Sequence, residues 1–234
     1  MEHPFLVTCE RPFLVADFPE PQTMLSWAMT RPGFRLCRKV AWLEVRNADL
    51  LPELDPFAFL EERMAAAGHA DALALMTSRD VRHHHLGHAQ ADGVVATCLA
   101  TVGLSNAVRV GGPRGVATTL GTINLLVHVS CALSKAALIE TISIATQART
   151  AAILALDLRI DGSAVSGTGT DCIVAAAPVA GEPARFAGLH TSIGEAVGAA
   201  VYAAVGEGGA LWCRQKARGF FVAPHNPQRD PTAC

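Results

Sequence analysis

The sequence predicts an α+β fold: mixed or antiparallel sheets layered with about three helices. Three observations carry this. Many short apolar runs are punctuated by proline and glycine, the pattern of strands joined by turns. Three longer segments combine helical spacing with start and stop residues. No internal repeat is visible, so the chain is not a solenoid or propeller.

Taken in order, residues 5–7, 13–15, 24–27 and 40–45 are short apolar runs that read as strands, with Pro4, Pro12, Pro19, Pro21 and Pro32-Gly33 between them. A helix follows, with Asp55 as N-cap, Pro56 at the first helical position and Gly68 as its stop. Phe57, Leu60 and Met64 fall on one face of it. Strands are expected at residues 72–76 and 94–100, with a polar stretch rich in His and Asp between them. After a glycine-rich loop, residues 119–129 read as another strand. Ser134 then caps a long helix reaching about Leu156, with Leu138, Ile142, Ala145, Ala152 and Leu156 near helical spacing. The apolar run 172–177 reads as a buried strand. The last helix has a capping box, Ser192 with Glu195, and is expected to stop at Gly206-Glu207-Gly208-Gly209. Gly194 and Gly198 share a face of it and would allow close packing. Residues 1–223 are expected to form a single domain and residues 224–234, polar and proline-containing, a disordered tail.

Composition narrows the function. Half of the 234 residues are apolar, enough for a substantial core. The net charge is -2 with no basic block, which argues against nucleic-acid binding. The longest apolar-rich region, residues 129–158, is interrupted by Lys135, Glu140, Gln147, Arg149 and Asp157, so no membrane span is expected. The N-terminus lacks the basic start of a signal peptide. The seven cysteines are odd in number, scattered and without a C-x-x-C pair, which fits a reduced, cytoplasmic protein. A homo-oligomer is compatible with all of this.

The most informative stretch is Ser166-Gly167-Thr168-Gly169-Thr170-Asp171. Glycines let the backbone turn tightly and approach a ligand, and the following strand would deliver Thr170 and Asp171 to the lip of a sheet. Backbone amides there could hold an oxyanion. Such a loop can equally be a simple turn, with Asp171 as a cap. Ser105, Asn106 and Arg109 lie in a second loop between Gly103 and Gly112, either an ordinary surface connection or a ligand contact. Thr122 and Asn124 sit in an apolar strand, and a buried Asn amide needs partners, in a neighbouring loop or on a ligand. His190, just before the last helix, would stay neutral at a helix N-terminus and suits a general base, or else makes only local hydrogen bonds. His83, His84, His85 and His88 invite a zinc site, but no Cys or Glu shares a metal-ligand spacing with them. A solvated turn is the better reading, and no metal is expected.

Several runs together resemble the adenosylcobinamide amidohydrolase family of cobamide salvage. They are LSWA (25–28), VRNADL (45–50), ATVGLSNA (100–107), GTINLLV (121–127), LSKAAL (133–138), ATQARTAA (145–152), GTGTD (167–171) and HTSIGE (190–195). Each is modest; their order and spacing make the resemblance specific. It implies hydrolysis of the amide joining aminopropanol to the corrin side chain, with the corrinoid as substrate and no further cofactor. In the long helix the resemblance implies Glu and Lys where this chain has Gln147 and Arg149. Amide hydrolysis needs an activated nucleophile, oxyanion donors and a proton for the leaving amine. Asp171, His190, Thr170 and Asn124 are the catalytic candidates. Ser105, Asn106, Arg109, Thr122, Gly167, Thr168, Gly169 and Gln147 are the substrate-binding ones. Two alternatives stand beside this reading: a corrinoid-binding protein without catalysis, and a metal-dependent hydrolase using the histidine cluster. The Gly/Thr loop, Asn124 and His190 are expected to converge in one cleft.

Overall fold

The structure is a computed structural model that describes residues 3–50, 53–112, 121–160 and 162–218. The strands are β1 (Leu6–Glu10), β2 (Phe13–Ser26), β3 (Gly33–Glu44), β4 (Leu73–Thr77), β5 (His84–Ala91), β6 (Val94–Val102), β7 (Ala107–Val108), β8 (Ile123–Val129), β9 (Arg159–Ile160), β10 (Ser163–Ala164), β11 (Gly167–Thr168) and β12 (Cys172–Pro178). The helices are α1 (Pro56–Ala66), α2 (Lys135–Ala155) and α3 (Ser192–Ala217). Eight strands form one mixed sheet in the order β4-β3-β2-β12-β8-β6-β5, with β1 also on β2. The pairs β3/β4 and β8/β12 are parallel and the others antiparallel, so the α+β expectation holds.

The starts of α1 and α2 follow their sequence signals. Asp55 accepts from the Phe57 N–H at the start of α1, and Ser134 from the Ala137 N–H at the start of α2. Leu60 and Met64 bury the inner face of α1, whereas Phe57 is half exposed. At α3 the cap is Thr191, whose hydroxyl accepts from the Gly194 N–H, one residue before the expected Ser192.

All three helices lie on one face of the sheet. Ile123, Leu125 and Val127 of β8 and Ile173, Ala175 and Ala177 of β12 face α2 and α3. Val15, Ala41, Leu43 and Ala74 face α1. The opposite face folds onto itself: Leu99, Leu126, Val174 and Ala176 share a core with Leu14, Met24, Val40, Trp42 and Leu75. The sheet therefore curls into an open half-barrel with the helices outside. Across its gap the Asn124 side-chain N–H donates to the Met76 carbonyl at 2.8 Å.

Three further expectations need correction. Residues 13–15 and 24–26 belong to one long strand, with Trp27 just past its end, because the register shift between Asp17 and Gln22 absorbs Pro19 and Pro21. The histidine stretch is not a solvated turn: residues 81–83 form a short helical turn, and residues 84–91 form strand β5 under α3. Helix α3 does not stop at Gly206–Gly209 but runs on to Ala217. It is also long and apolar enough to cross a membrane by composition, with a mean hydropathy of 1.2. Here it packs against β5, β6 and α2. Residues 119–120 and the C-terminal tail lie outside the described residues.

Candidate active site

A cleft of about 420 Å3 opens at the mouth of the half-barrel. Its walls are the segment after β2 (Trp27, Ala28, Met29), the last residues of β4 and those following (Leu75, Met76, Thr77, Ser78), the start of β8 (Gly121, Thr122, Asn124) and the Gly/Thr loop with the start of β12 (Gly169, Thr170, Asp171, Cys172). Parallel pairing of β12 on β8, with Cys172 opposite Asn124, brings the two motif strands together at this point.

Asp171 is the hub. Its carboxylate accepts from the backbone N–H groups of Ile123 at 3.1 Å and Thr168 at 3.2 Å, and from the Thr168 hydroxyl. The Arg149 guanidinium, carried on α2, lies 2.9 Å from it and also donates to the Ser166 carbonyl at 2.9 Å. Both side chains are buried, 13% and 8% exposed, so neither charge has much help from water. Burial pushes the Asp171 carboxyl above its ordinary range, while Arg149 and the hydrogen bonds from Thr168 and Ile123 pull it back. Gly167 is there because the ion pair passes beneath it. A Cβ at that position would lie 1.9 Å from the guanidinium and 2.8 Å from the carboxylate.

The hydroxyls and amides around Asp171 are committed in a chain. Thr170 donates to the Gly121 carbonyl at 2.9 Å and receives the Asn106 amide at 3.4 Å. The Thr122 hydroxyl has one proton and two acceptors in reach, the Thr170 carbonyl at 2.7 Å and Asn124 Oδ1 at 3.0 Å. Trp27 closes the set, its indole N–H donating to the Asp171 carbonyl at 3.0 Å. Among the described residues, Cys172 is the other titratable group on the wall. Burial pushes its thiol up to about 11, so it is protonated at neutral pH and a poor nucleophile.

Of the sequence candidates, Asp171, Thr170, Asn124, Thr122 and Gly169 line the cleft, and Thr168, Gly167 and Asn106 support it from behind. Ser105 and Arg109 are exposed and do not line the cleft, although β7 between them pairs with β11 of the Gly/Thr loop. Gln147 also lies outside: it is exposed on α2, bonded to Ser143, two residues and so a half-turn round the helix from Arg149.

The expected convergence of His190 with the loop is overturned. Strand β12 carries the chain about 20 Å from Asp171 to the opposite end of the sheet. There His190 is exposed beside the start of α3, and Ser192 donates to Asp92 on the β5/β6 turn. The histidine cluster is divided by strand alternation. His84 and His88 bond to the Val81 carbonyl and Thr97. His85 meets Glu207 on α3 and His83 meets Gln215. Among the described residues no three metal-binding side chains come together. Sequence reasoning missed Trp27, Thr77, Ser78 and the ion-pair role of Arg149.

A family model described as adenosylcobinamide amidohydrolase matches residues 3–217. A relative from Halobacterium salinarum, named adenosylcobinamide amidohydrolase, is 34% identical over 157 residues, which cover 63% of this chain and 64% of that relative. A crystal structure of the PH0078 protein from Pyrococcus horikoshii OT3 aligns over 88% of this chain and 79% of its own, with a TM-score of 0.42 and 11% identity. With a family model covering nearly all the described residues, the chain belongs to the adenosylcobinamide amidohydrolase family.

Proposed function

We propose that this protein hydrolyses the amide joining aminopropanol to the corrin side chain of adenosylcobinamide, giving adenosylcobyric acid and aminopropanol. The observation that carries this is the coincidence of motif and cleft. The GTGTD and GTIN runs, among those by which the chain resembles its family, together form one cleft wall. The reaction adds water to the amide carbon, passes through a tetrahedral oxyanion and breaks the carbon–nitrogen bond as the amine gains a proton. Among the described residues, Asp171 is the single carboxylate on the cleft wall. It takes the proton from the attacking water and returns it to the leaving amine. A carboxyl raised by burial suits both halves of that task. The Gly169 backbone, on the cleft wall, offers an N–H to the oxyanion. The setting fits a cytoplasmic salvage enzyme acting on a free small molecule.

The test is incubation of purified protein with adenosylcobinamide, followed by mass spectrometry of the products. Equal amounts of adenosylcobyric acid and aminopropanol are expected. Folded protein that binds the corrinoid and releases no aminopropanol would leave it a binding protein.

A further inference from the structure

The cleft is too small for the substrate proposed above. Adenosylcobinamide carries a macrocycle, several amide arms and an adenosyl group, far more than the drug-sized molecules that a cleft of about 420 Å3 encloses. Only the aminopropanol arm can enter, so the ring must rest on the rim.

Among the described residues, the rim offers a surface suited to that. Trp27 is 49% exposed, whereas the other two tryptophans, Trp42 and Trp212, are buried at 0% and 2%. A large aromatic left this open is held in place by a specific bond, its N–H on the Asp171 carbonyl at 3.0 Å. That bond fixes one edge and leaves the rest of the indole to water. Ala28, Met29, Val45 and Leu50 continue the apolar surface from it into the cleft. A rigid aromatic face beside an apolar cleft fits a broad, flat, largely apolar ring, at little cost in side-chain entropy.

Resting on the substrate reading above, we propose that Trp27 is the specificity platform of the site: the corrin ring lies against its indole while the amide arm reaches Asp171. Because the same indole is bonded to the Asp171 carbonyl, ring docking and the reacting arm are set at a fixed distance from each other.

The experiment uses adenosylcobyric acid, which keeps the ring and lacks the scissile amide, so binding is read without turnover. Titration calorimetry on the parent protein, Trp27→Ala and Trp27→Phe separates ring from hydrogen bond. Trp27→Ala is expected to weaken binding roughly tenfold and to raise KM for adenosylcobinamide in step. Trp27→Phe, which keeps a ring and loses the N–H, is expected to recover most of that affinity. In the parent protein, iodide quenching reads the exposed indole alone, and saturating adenosylcobyric acid should protect it. Unchanged affinity in a folded Trp27→Ala, or unprotected emission in the parent with ligand bound, overturns the proposal even where hydrolysis is confirmed. Protection of the indole without any hydrolysis upholds the platform and sinks the catalytic reading instead.

Discussion

Arg149 and Asp171 hold each other's charge under the Gly/Thr loop, and both backbone and hydroxyl donors converge on the carboxylate. Asp171→Asn keeps the shape but removes the charge and leaves the guanidinium buried without its partner. Breaking such a pair costs about 3–5 kcal/mol, so calorimetry should show a melting point lower by about 10 °C. Turnover per folded molecule should fall roughly 100-fold. Activity lost only in proportion to folded protein would make Asp171 a brace and not a base. Arg149→Met tests the charge separately. The guanidinium is the largest influence holding the raised Asp171 carboxyl down. Without it the carboxyl rises further, and because the base must be ionised, the acid limb of the kcat/KM profile should move to higher pH. A profile that stays in place would remove Asp171 as the titrating group. This pair was half legible in the sequence. Arg149 stands four residues after Ala145 and three before Ala152, on the apolar stripe of the long helix, where a cation demands a partner. Which carboxylate it meets depends on how β12 pairs with β8, and no local pattern encodes that register.

At the scale of the elements, glycines decide where helix meets sheet. Helix α3 passes its expected stop because Gly208 and Gly209 serve packing. A Cβ on Gly208 would lie 2.7 Å from a Val102 methyl, and one on Gly209 2.4 Å from a Leu156 methyl. The sequence shows the glycines but not whether they end a helix or let it approach a neighbour, since both uses look alike locally. The long helix, its Ser134 cap and the α1 signals were legible because each rests on contacts within a few residues. Strand β5 was not, since its histidines hide the alternation that marks a strand. Substitution tests the packing reading. A Cβ at Gly87 on β5 would lie 2.1 Å from the Ala200 backbone oxygen on α3, and backbone cannot step aside as a side-chain tip can. Gly87→Ala should therefore destabilise by about 3 kcal/mol or more in urea unfolding. Gly206→Ala meets nothing within 4 Å and should stabilise by about 1 kcal/mol. Equal effects at the two sites would contradict the packing.

For the molecule as a whole, the concave core carries a titratable group that the proposed chemistry does not use. His128 on β8 lies against Phe18, with ring centroids 5.4 Å apart, and burial pushes its imidazole down to about 4. A depressed histidine contributes stability that is present above its unfolded value near 6.5 and is lost as pH falls through 4, because the unfolded chain takes up the proton first. The loss is about 3 kcal/mol. Melting points measured from pH 7 to pH 4 should fall along that course, and His128→Leu should flatten it. The same curled sheet has a seam. Strand β4 is laddered to β3 on one side only. On the other it is tied at two points, its Ala74 N–H to Thr30 at 2.8 Å and its Met76 carbonyl to Asn124 at 2.8 Å. A strand stitched at two points is compliant where a laddered one is stiff. One wall of the cleft is thus sprung and the Asp171 wall is laddered into the sheet, so the mouth can give as a ring settles on the rim while the carboxylate stays in place. Amide hydrogen exchange should find the Ala74 N–H opening well before those of β8, and Asn124→Ala should hasten it further.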